Sequence, residues 1–159
     1  MKTAVVYYSL TGSCDLIAEE IKAKLNADLI RLHTENEKPR GGFASFFWGI
    51  GVMLGAKKAP LKPYTFVPSV YDLIIIGAPV WAGSPARPIR SFLAETGIKG
   101  KKIALFVCHG GGMGKSLEQL KALLPGNEIT AETSFVYPLK NIESAKQEAA
   151  DWAKGLQAG

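Results

Sequence analysis

The chain has 159 residues, 47% of them hydrophobic and 21% charged, which predicts one globular domain over residues 1–159 rather than a disordered chain or a coiled coil. The net charge of +5 is concentrated in residues 38–71, which hold five basic residues and no acid, so broad nucleic-acid binding is not expected. Two cysteines cannot build a disulfide framework, and no apolar stretch reaches the ~18 residues of a membrane span. We therefore expect a cytoplasmic protein without an integral membrane segment.

Strand-like patterns are spread along the whole chain. Most are short runs rich in β-branched and aromatic residues. The run LIIIGA is apolar almost throughout, which is typical of a parallel strand that is buried on both faces. The predicted strands are residues 3–8, 28–32, 73–78, 103–108 and 132–137.

Helix-like patterns alternate with these strands. Leu and Ile residues recur at helical spacing in residues 14–25, and Leu residues do so in 115–124. Residues 88–96 and 144–156 are also predicted to be helical, with Ser144 as the predicted N-cap of the last helix. The alternation predicts a parallel sheet with helices on both faces. The element order permits a five-stranded sheet in the order 2-1-3-4-5 or a related nucleotide-binding order, and ligands of such sheets bind beyond the carboxyl ends of the strands.

The first loop, residues 9–14, leaves the first strand and opens a helix. Ser9, Thr11 and Ser13 offer hydroxyl groups, and Gly12 permits a tight turn. The N–H groups at a helix start lack partners within the helix, so this loop suits a phosphate. The alternative is that Thr11 or Ser13 caps the helix and that nothing is bound.

The second loop, residues 79–84, places Trp81 where a buried strand leaves the sheet. Core packing explains a Trp poorly at that position, whereas a planar ligand could stack on the indole. Gly83 would let the backbone approach such a ligand. The alternative is that Trp81 packs under the following helix.

The third loop, residues 109–115, contains four glycines that free the backbone to pass close to a flat ring. Its end, GKS, also resembles a nucleotide-phosphate loop. His109 stands where that motif requires its first glycine, and no apolar run ends in an Asp for a magnesium ion. A nucleotide-hydrolysing protein is therefore disfavoured.

The motifs YSLTGS and GAPVWAGSP make the chain resemble the flavodoxin family, whose length and element order fit all 159 residues. The family's first loop reads S/T-x-T-G-x-T; Ser9, Thr11 and Gly12 match, and Cys14 replaces the last Thr. The resemblance implies a flavodoxin-like, doubly wound five-stranded parallel α/β sheet of order 2-1-3-4-5 with helices on both faces. It also implies non-covalently bound FMN, with its phosphate on the first loop and its ring between the second and third.

The resemblance carries FMN-binding roles onto individual positions. Trp81 matches the stacking aromatic, and Ala82 or Gly83 matches the peptide whose carbonyl turns toward flavin N5. Many flavodoxins place a Tyr with surrounding acids in the third loop, and this loop has neither. The implied cofactor-binding residues are Ser9, Leu10, Thr11, Gly12, Ser13, Cys14, Pro79, Val80, Trp81, Ala82, Gly83, Cys108, His109, Gly110, Gly111 and Gly112.

Two functions fit this resemblance. The small size and the lack of an obvious nicotinamide site favour an electron carrier that serves redox partner proteins. The open third loop and the absent acidic rim favour the alternative, a flavodoxin-like NAD(P)H-quinone oxidoreductase or another FMN-dependent reductase. We favour the carrier and predict neither a catalytic residue nor a metal site.

Two further predictions concern features outside the three loops. Cys14 and Cys108 are predicted to be buried small hydrophobes rather than a redox pair, because strands 1 and 4 of the predicted sheet are not neighbours. Residues 42–56 carry no charge and are flanked by basic residues. We expect them to line the flavin crevice and to dock an acidic, ferredoxin-type partner. A core cover and a contact with anionic lipid are the alternatives.

Overall fold

The structure, a computed structural model, describes residues 1–35 and 59–158. Its strands are β1 (Thr3–Tyr7), β2 (Asp28–Arg31), β3 (Leu73–Trp81), β4 (Ser84–Pro85), β5 (Lys102–His109) and β6 (Glu128–Val136). Its α-helices are α1 (Ser13–Leu25), α2 (Arg87–Thr96), α3 (Ser116–Ala122) and α4 (Ile142–Gln157), and a 3₁₀ turn covers Pro68–Val70.

The main sheet has the strand order β2-β1-β3-β5-β6, and every neighbouring pair along this path is parallel. The two-residue strand β4 lies off the path and pairs antiparallel with the end of β3. With β4 set aside, this is the predicted order 2-1-3-4-5. The doubly wound fold is therefore confirmed, and its parallel strands bring their carboxyl ends to one edge.

Helices cover both faces of the sheet. Successive side chains of a strand point to opposite faces, so neighbouring residues of the central strands enter different cores. One core joins Val6 and Ile76 with Phe92 of α2 and Leu120 of α3. The other core joins Val5 and Ile75 with Ile17 of α1 and Ala149 of α4.

Two strands, β3 and β6, are each three residues longer than the sequence predicts. Strand β3 continues beyond residue 78 to Trp81 because it turns back as a hairpin with β4. Strand β6 begins at Glu128, four residues before the predicted start at residue 132. It is an edge strand with alternating exposure, so its first half lacks the continuous apolar run that marks a central strand.

The predicted cap of the last helix is wrong. The N-cap is Asn141, whose side-chain oxygen accepts a hydrogen bond from the Ser144 N–H at 3.3 Å. Ser144 lies inside the first turn and donates its hydroxyl to Glu148. Both residue types favour N-caps, and the geometry selects the earlier one.

Residues 42–56, predicted to line the crevice, lie outside the described residues. Of the five basic residues in 38–71, Lys62 is the one that lies in the described ranges. Within those ranges, no helix has both the length and the apolar character needed to cross a membrane.

Candidate functional site

The first loop is held by Ser9 rather than by a helix cap. Gly12 occupies the N-cap position with φ +103°, a left-handed conformation that favours glycine. The buried Ser9 hydroxyl accepts hydrogen bonds from the N–H groups of Gly12 at 3.1 Å and Asp15 at 3.4 Å. Neither Thr11 nor Ser13 caps the helix, so the capping alternative is not what the structure contains.

The remaining donors of the first loop are open. Within residues 1–35 and 59–158, the N–H groups of Ser13 and Cys14 meet no acceptor. The hydroxyl oxygens of Thr11 and Ser13 lie 3.4 Å apart at the surface. Amides and hydroxyls at the positive end of a helix form a cradle for an anion.

An ion pair braces this loop from strand β2. The Tyr7 hydroxyl donates to Asp15 Oδ1 at 2.9 Å, and Arg31 Nη1 lies 2.9 Å from the same oxygen. Arg31 Nη2 also donates to the Ser9 carbonyl at 3.2 Å. Burial, and then the bond to Asp15, raise the pKa of Tyr7, so the phenol stays protonated. The sequence hinted at Arg31 only through its place near the end of the second predicted strand.

The second loop is a tight hairpin. Trp81 pairs with Ser84, and the two residues between them, Ala82 and Gly83, have φ of 47° and 74°. Two positive φ angles are typical of a two-residue hairpin turn. The loop predicted at residues 79–84 is therefore strand up to Trp81 and a turn only at Ala82 and Gly83. Ala82 is unusual there, because residues with a Cβ seldom adopt the left-handed conformation.

Trp81 is only partly buried. Its indole meets the ring of Tyr8 edge to face, with centroids 5.8 Å apart and an interplanar angle of 87°. It also packs against the core that contains Phe92 of α2, so the packing alternative accounts for part of its surface. The rest remains available at the carboxyl edge of the sheet.

The glycines of the third loop differ in what explains them. A Cβ atom built on Gly110 would lie 2.6 Å from Tyr137 Cε1, and one built on Gly114 would lie 2.7 Å from Gly83 Cα. The Gly83 backbone therefore requires glycine at 114, whereas a Cβ at 110 would displace the exposed Tyr137 side chain. A Cβ built on Gly111 would meet no described atom within 4 Å, and Gly111 has no positive φ. Contacts with the described residues do not require glycine at 111, and no described atom fills the space beside it.

A tyrosine borders the third loop from the neighbouring strand. Tyr137 follows β6, donates its N–H to the His109 carbonyl at 2.8 Å, and lies against Gly110. Its side chain is 47% exposed, and Lys140 Nζ lies 3.8 Å from the ring centroid. The third loop lacks a Tyr of its own, but the fold supplies one beside it. Nearby, His109 Nδ1 is buried without a hydrogen-bond partner among the described residues.

The two cysteines are in contact. Both are buried and free, as predicted. Strands β1 and β5 are not neighbours, as predicted, yet Cys14 lies on α1, from which its side chain reaches Cys108 at the end of β5. Burial, followed by this contact, raises the pKa of the Cys14 thiol well above its usual range.

The three loops thus meet pairwise at one edge of the sheet. The ring contact of Tyr8 with Trp81 joins the first region to the second. The Cys14–Cys108 contact joins the first to the third, and the close approach of Gly83 and Gly114 joins the second to the third. The anion cradle, the partly exposed indole and the glycine backbone of the third loop therefore lie close together at this edge of the sheet.

No protein-family model and no curated protein matches this sequence. Solved structures do. The flavoprotein from Lactobacillus acidophilus NCFM, in complex with FMN, is 24% identical with a TM-score of 0.70, over 84% of this chain and 92% of that chain. A putative flavoprotein from Bacteroides eggerthii is 23% identical with a TM-score of 0.77, over 96% of each chain. The flavodoxin, WrbA-like protein from Agrobacterium tumefaciens is 18% identical with a TM-score of 0.63, over 99% of this chain and 98% of that chain. The chain therefore has the flavodoxin-like fold.

Proposed function

We propose that the protein binds FMN non-covalently and carries electrons between redox partner proteins. The observation that carries this proposal is the convergence of the uncapped first loop, the partly exposed Trp81 and the open backbone at Gly111. A ligand in which a short chain joins a phosphate to a planar ring requires these three features together. The solved FMN complex with the same fold supports this choice of ligand.

The first loop would hold the phosphate. The free N–H groups of Ser13 and Cys14 supply donors, and the hydroxyls of Thr11 and Ser13 supply two more. The family pattern has a hydroxyl where this chain has Cys14. Cys14 turns its side chain to Cys108, so only its backbone N–H can serve the anion.

The second and third loops would hold the ring. Trp81 offers a face for stacking, and the Ala82–Gly83 turn can present a peptide carbonyl to the ring edge. Backbone at Gly111 can approach the ring because no side chain of the described residues lies within 4 Å of a Cβ built there. When bound, FMN supplies the chemistry, which is the reversible uptake of one or two electrons. The protein binds it, orients it and limits the access of water.

The electrostatics of these loops favour the reduced cofactor. Residues 79–86 and 108–117 contain no Asp or Glu, and they include Lys115. Reduction adds negative charge to the ring, and nearby acids would oppose it by Coulomb repulsion. The absence of acids in these two sequence stretches should make the reduced state comparatively accessible.

The open third loop favours a second candidate, an FMN-dependent reductase of the quinone oxidoreductase kind. A small substrate must stack on an uncovered ring face, and the third loop has no bulky side chain at Gly110, Gly111 or Gly112 to cover that face. Tyr137 borders this loop and is half exposed. We still propose the carrier, because a partner protein can exchange electrons at the ring edge without a binding site for a second substrate.

We further propose that the protein works in the cytoplasm with an acidic, ferredoxin-type partner. The five basic residues within 38–71 motivate this choice of partner. Their suggested docking surface at residues 42–56 remains a prediction from the sequence.

Mixing the FMN-loaded protein anaerobically with NADH or NADPH separates the two candidates. If the protein is a carrier, its flavin absorbance should bleach only slowly with either nucleotide and rapidly when a reductase protein is added. Bleaching at enzyme-like rates by the nucleotide alone would contradict the carrier and favour the reductase.

A further inference from the structure

An acid that directly follows the first loop should oppose phosphate binding. Asp15 lies in the first turn of α1, and its own N–H is bound by the Ser9 hydroxyl of the loop. A carboxylate stabilises a free helix N-terminus. It also repels a dianion bound at the same terminus, with an energy that grows as water is excluded. The loop itself contains no Lys or Arg to offset this charge.

Arg31 reaches this acid from a different strand. One guanidinium nitrogen lies 2.9 Å from Asp15 Oδ1, and the other donates to the Ser9 carbonyl at 3.2 Å. The Arg31 and Asp15 side chains are 26% and 23% exposed, so solvent screens their interaction only in part. Arg31 thereby engages the two groups at this turn, a carboxylate and a carbonyl oxygen, that would each repel an anion.

We infer that Arg31 is a positioning residue that makes the first loop selective for a phosphorylated flavin, because it neutralises Asp15 and fixes the Ser9 carbonyl. This inference rests on the proposed function and identifies the residue that balances the charge of Asp15 at the proposed phosphate site. Arginine suits the role because its planar fork binds two acceptors at once, which a lysine ammonium does less well. The Tyr7 hydroxyl, on the same Asp15 oxygen, adds a hydrogen bond but no charge.

The test compares FMN with riboflavin, which lacks the phosphate, by flavin fluorescence quenching at low and at moderate salt. Arg31→Ala should weaken FMN binding about tenfold or more at low salt and riboflavin binding by less than about threefold. Arg31→Lys should recover part of the FMN affinity, since it restores the charge without the fork. Lys121→Ala is the matched control, because it removes a cation paired at 2.9 Å with Glu132 between α3 and β6, away from the first loop.

Asp15→Asn tests the same inference with the fork left in place. It should strengthen FMN binding about two- to fivefold at low salt, leave riboflavin unchanged, and lose this effect as salt rises. Combined with Arg31→Ala, it should restore most of the lost FMN affinity. Asp15→Asn also keeps the inference testable if Arg31→Ala fails to fold.

Four outcomes distinguish the possible errors. If Arg31→Ala weakens FMN and riboflavin binding equally, Arg31 only supports the structure of the loop and the inference is overturned. Weaker FMN binding by Asp15→Asn would overturn it as well. Loss of FMN affinity in Lys121→Ala to the same degree would also overturn it. If the wild-type protein binds neither flavin, the proposed function itself fails, and this inference falls with it.

Discussion

Two glycines of the third loop should respond in opposite ways to the same added methyl group. In Gly114→Ala, the new Cβ would lie 2.7 Å from Gly83 Cα and 2.8 Å from the Gly83 carbonyl oxygen. Both atoms belong to the backbone, so no side chain can rotate away. Gly114 also has φ +54°, which an L-residue adopts at a cost. In Gly111→Ala, the new Cβ would meet no described atom within 4 Å.

The magnitudes follow from these contacts. A left-handed alanine costs about 1–2 kcal/mol, and overpacking costs about 1–3 kcal/mol, so Gly114→Ala should lower the free energy of unfolding of the apo-protein by about 2–5 kcal/mol. At this chain length the melting temperature should fall by roughly 5–15 °C. Gly111→Ala should leave the stability unchanged or raise it by up to about 1 kcal/mol, because alanine restricts the unfolded chain.

The assay is urea unfolding of both apo-variants followed by FMN titration. Gly114→Ala should weaken FMN binding because it pushes the Ala82–Gly83 turn away from the third loop. Gly111→Ala should weaken FMN binding about tenfold or more, since its methyl enters the space proposed for the ring. Wild-type FMN affinity in a stable Gly111→Ala protein would refute the placement of the ring beside Gly111. Equal destabilisation by the two changes would refute the packing estimate.

Three other predictions use different observables. Thr11→Ala should weaken FMN binding by about 1.5–3 kcal/mol and riboflavin binding much less, because one hydrogen bond to a charged oxygen is lost; equal losses in parallel titrations would contradict this. Cys14 should react slowly with a thiol reagent at pH 7 in the folded protein and faster as pH rises, because burial raises its pKa and keeps the thiol protonated and unreactive; a fast reaction of Cys14 at pH 7 without unfolding would be inconsistent with that burial. The second one-electron potential of bound FMN should be higher than in a flavodoxin with an acidic rim, since the second and third loops hold no acid and include Lys115; a very negative second step in a potentiometric titration would argue against it.

The sheet could be predicted because its central strands carry a direct signal. Strands β3 and β5 are buried on both faces, so their sequences read as apolar runs, and the loops that follow them are marked by Trp81 and by glycines. The order of the strands came from the alternation of elements and the family resemblance. These two sources also placed the three loops at one edge.

Features that depend on contacts between distant segments could not be predicted. The bridge from Arg31 to Ser9 requires β2 to lie beside β1, and one polar residue near a strand end carries no sign of it. Tyr137 reaches Gly110 only because β6 pairs with β5. The sequence does not indicate the hairpin at Ala82, because alanine seldom adopts the left-handed conformation of such a turn.

The Cys14–Cys108 contact shows how a correct sheet order can still mislead. The sequence predicts that the two residues lie apart because their strands are not neighbours, and β1 and β5 are indeed not paired. Cys14, however, lies in the first turn of α1, which crosses the face of the sheet. Side chains of one face can meet across an intervening strand when a helix carries one of them.

The most direct test of the central claim is a fluorescence titration of FMN and riboflavin with the apo-protein, followed to saturation at micromolar concentration. The account predicts saturable quenching with one FMN per chain and weaker binding of riboflavin, because the first loop contributes donors that only the phosphate can use. Absence of saturable quenching by FMN, or equal affinity for both flavins, would contradict it.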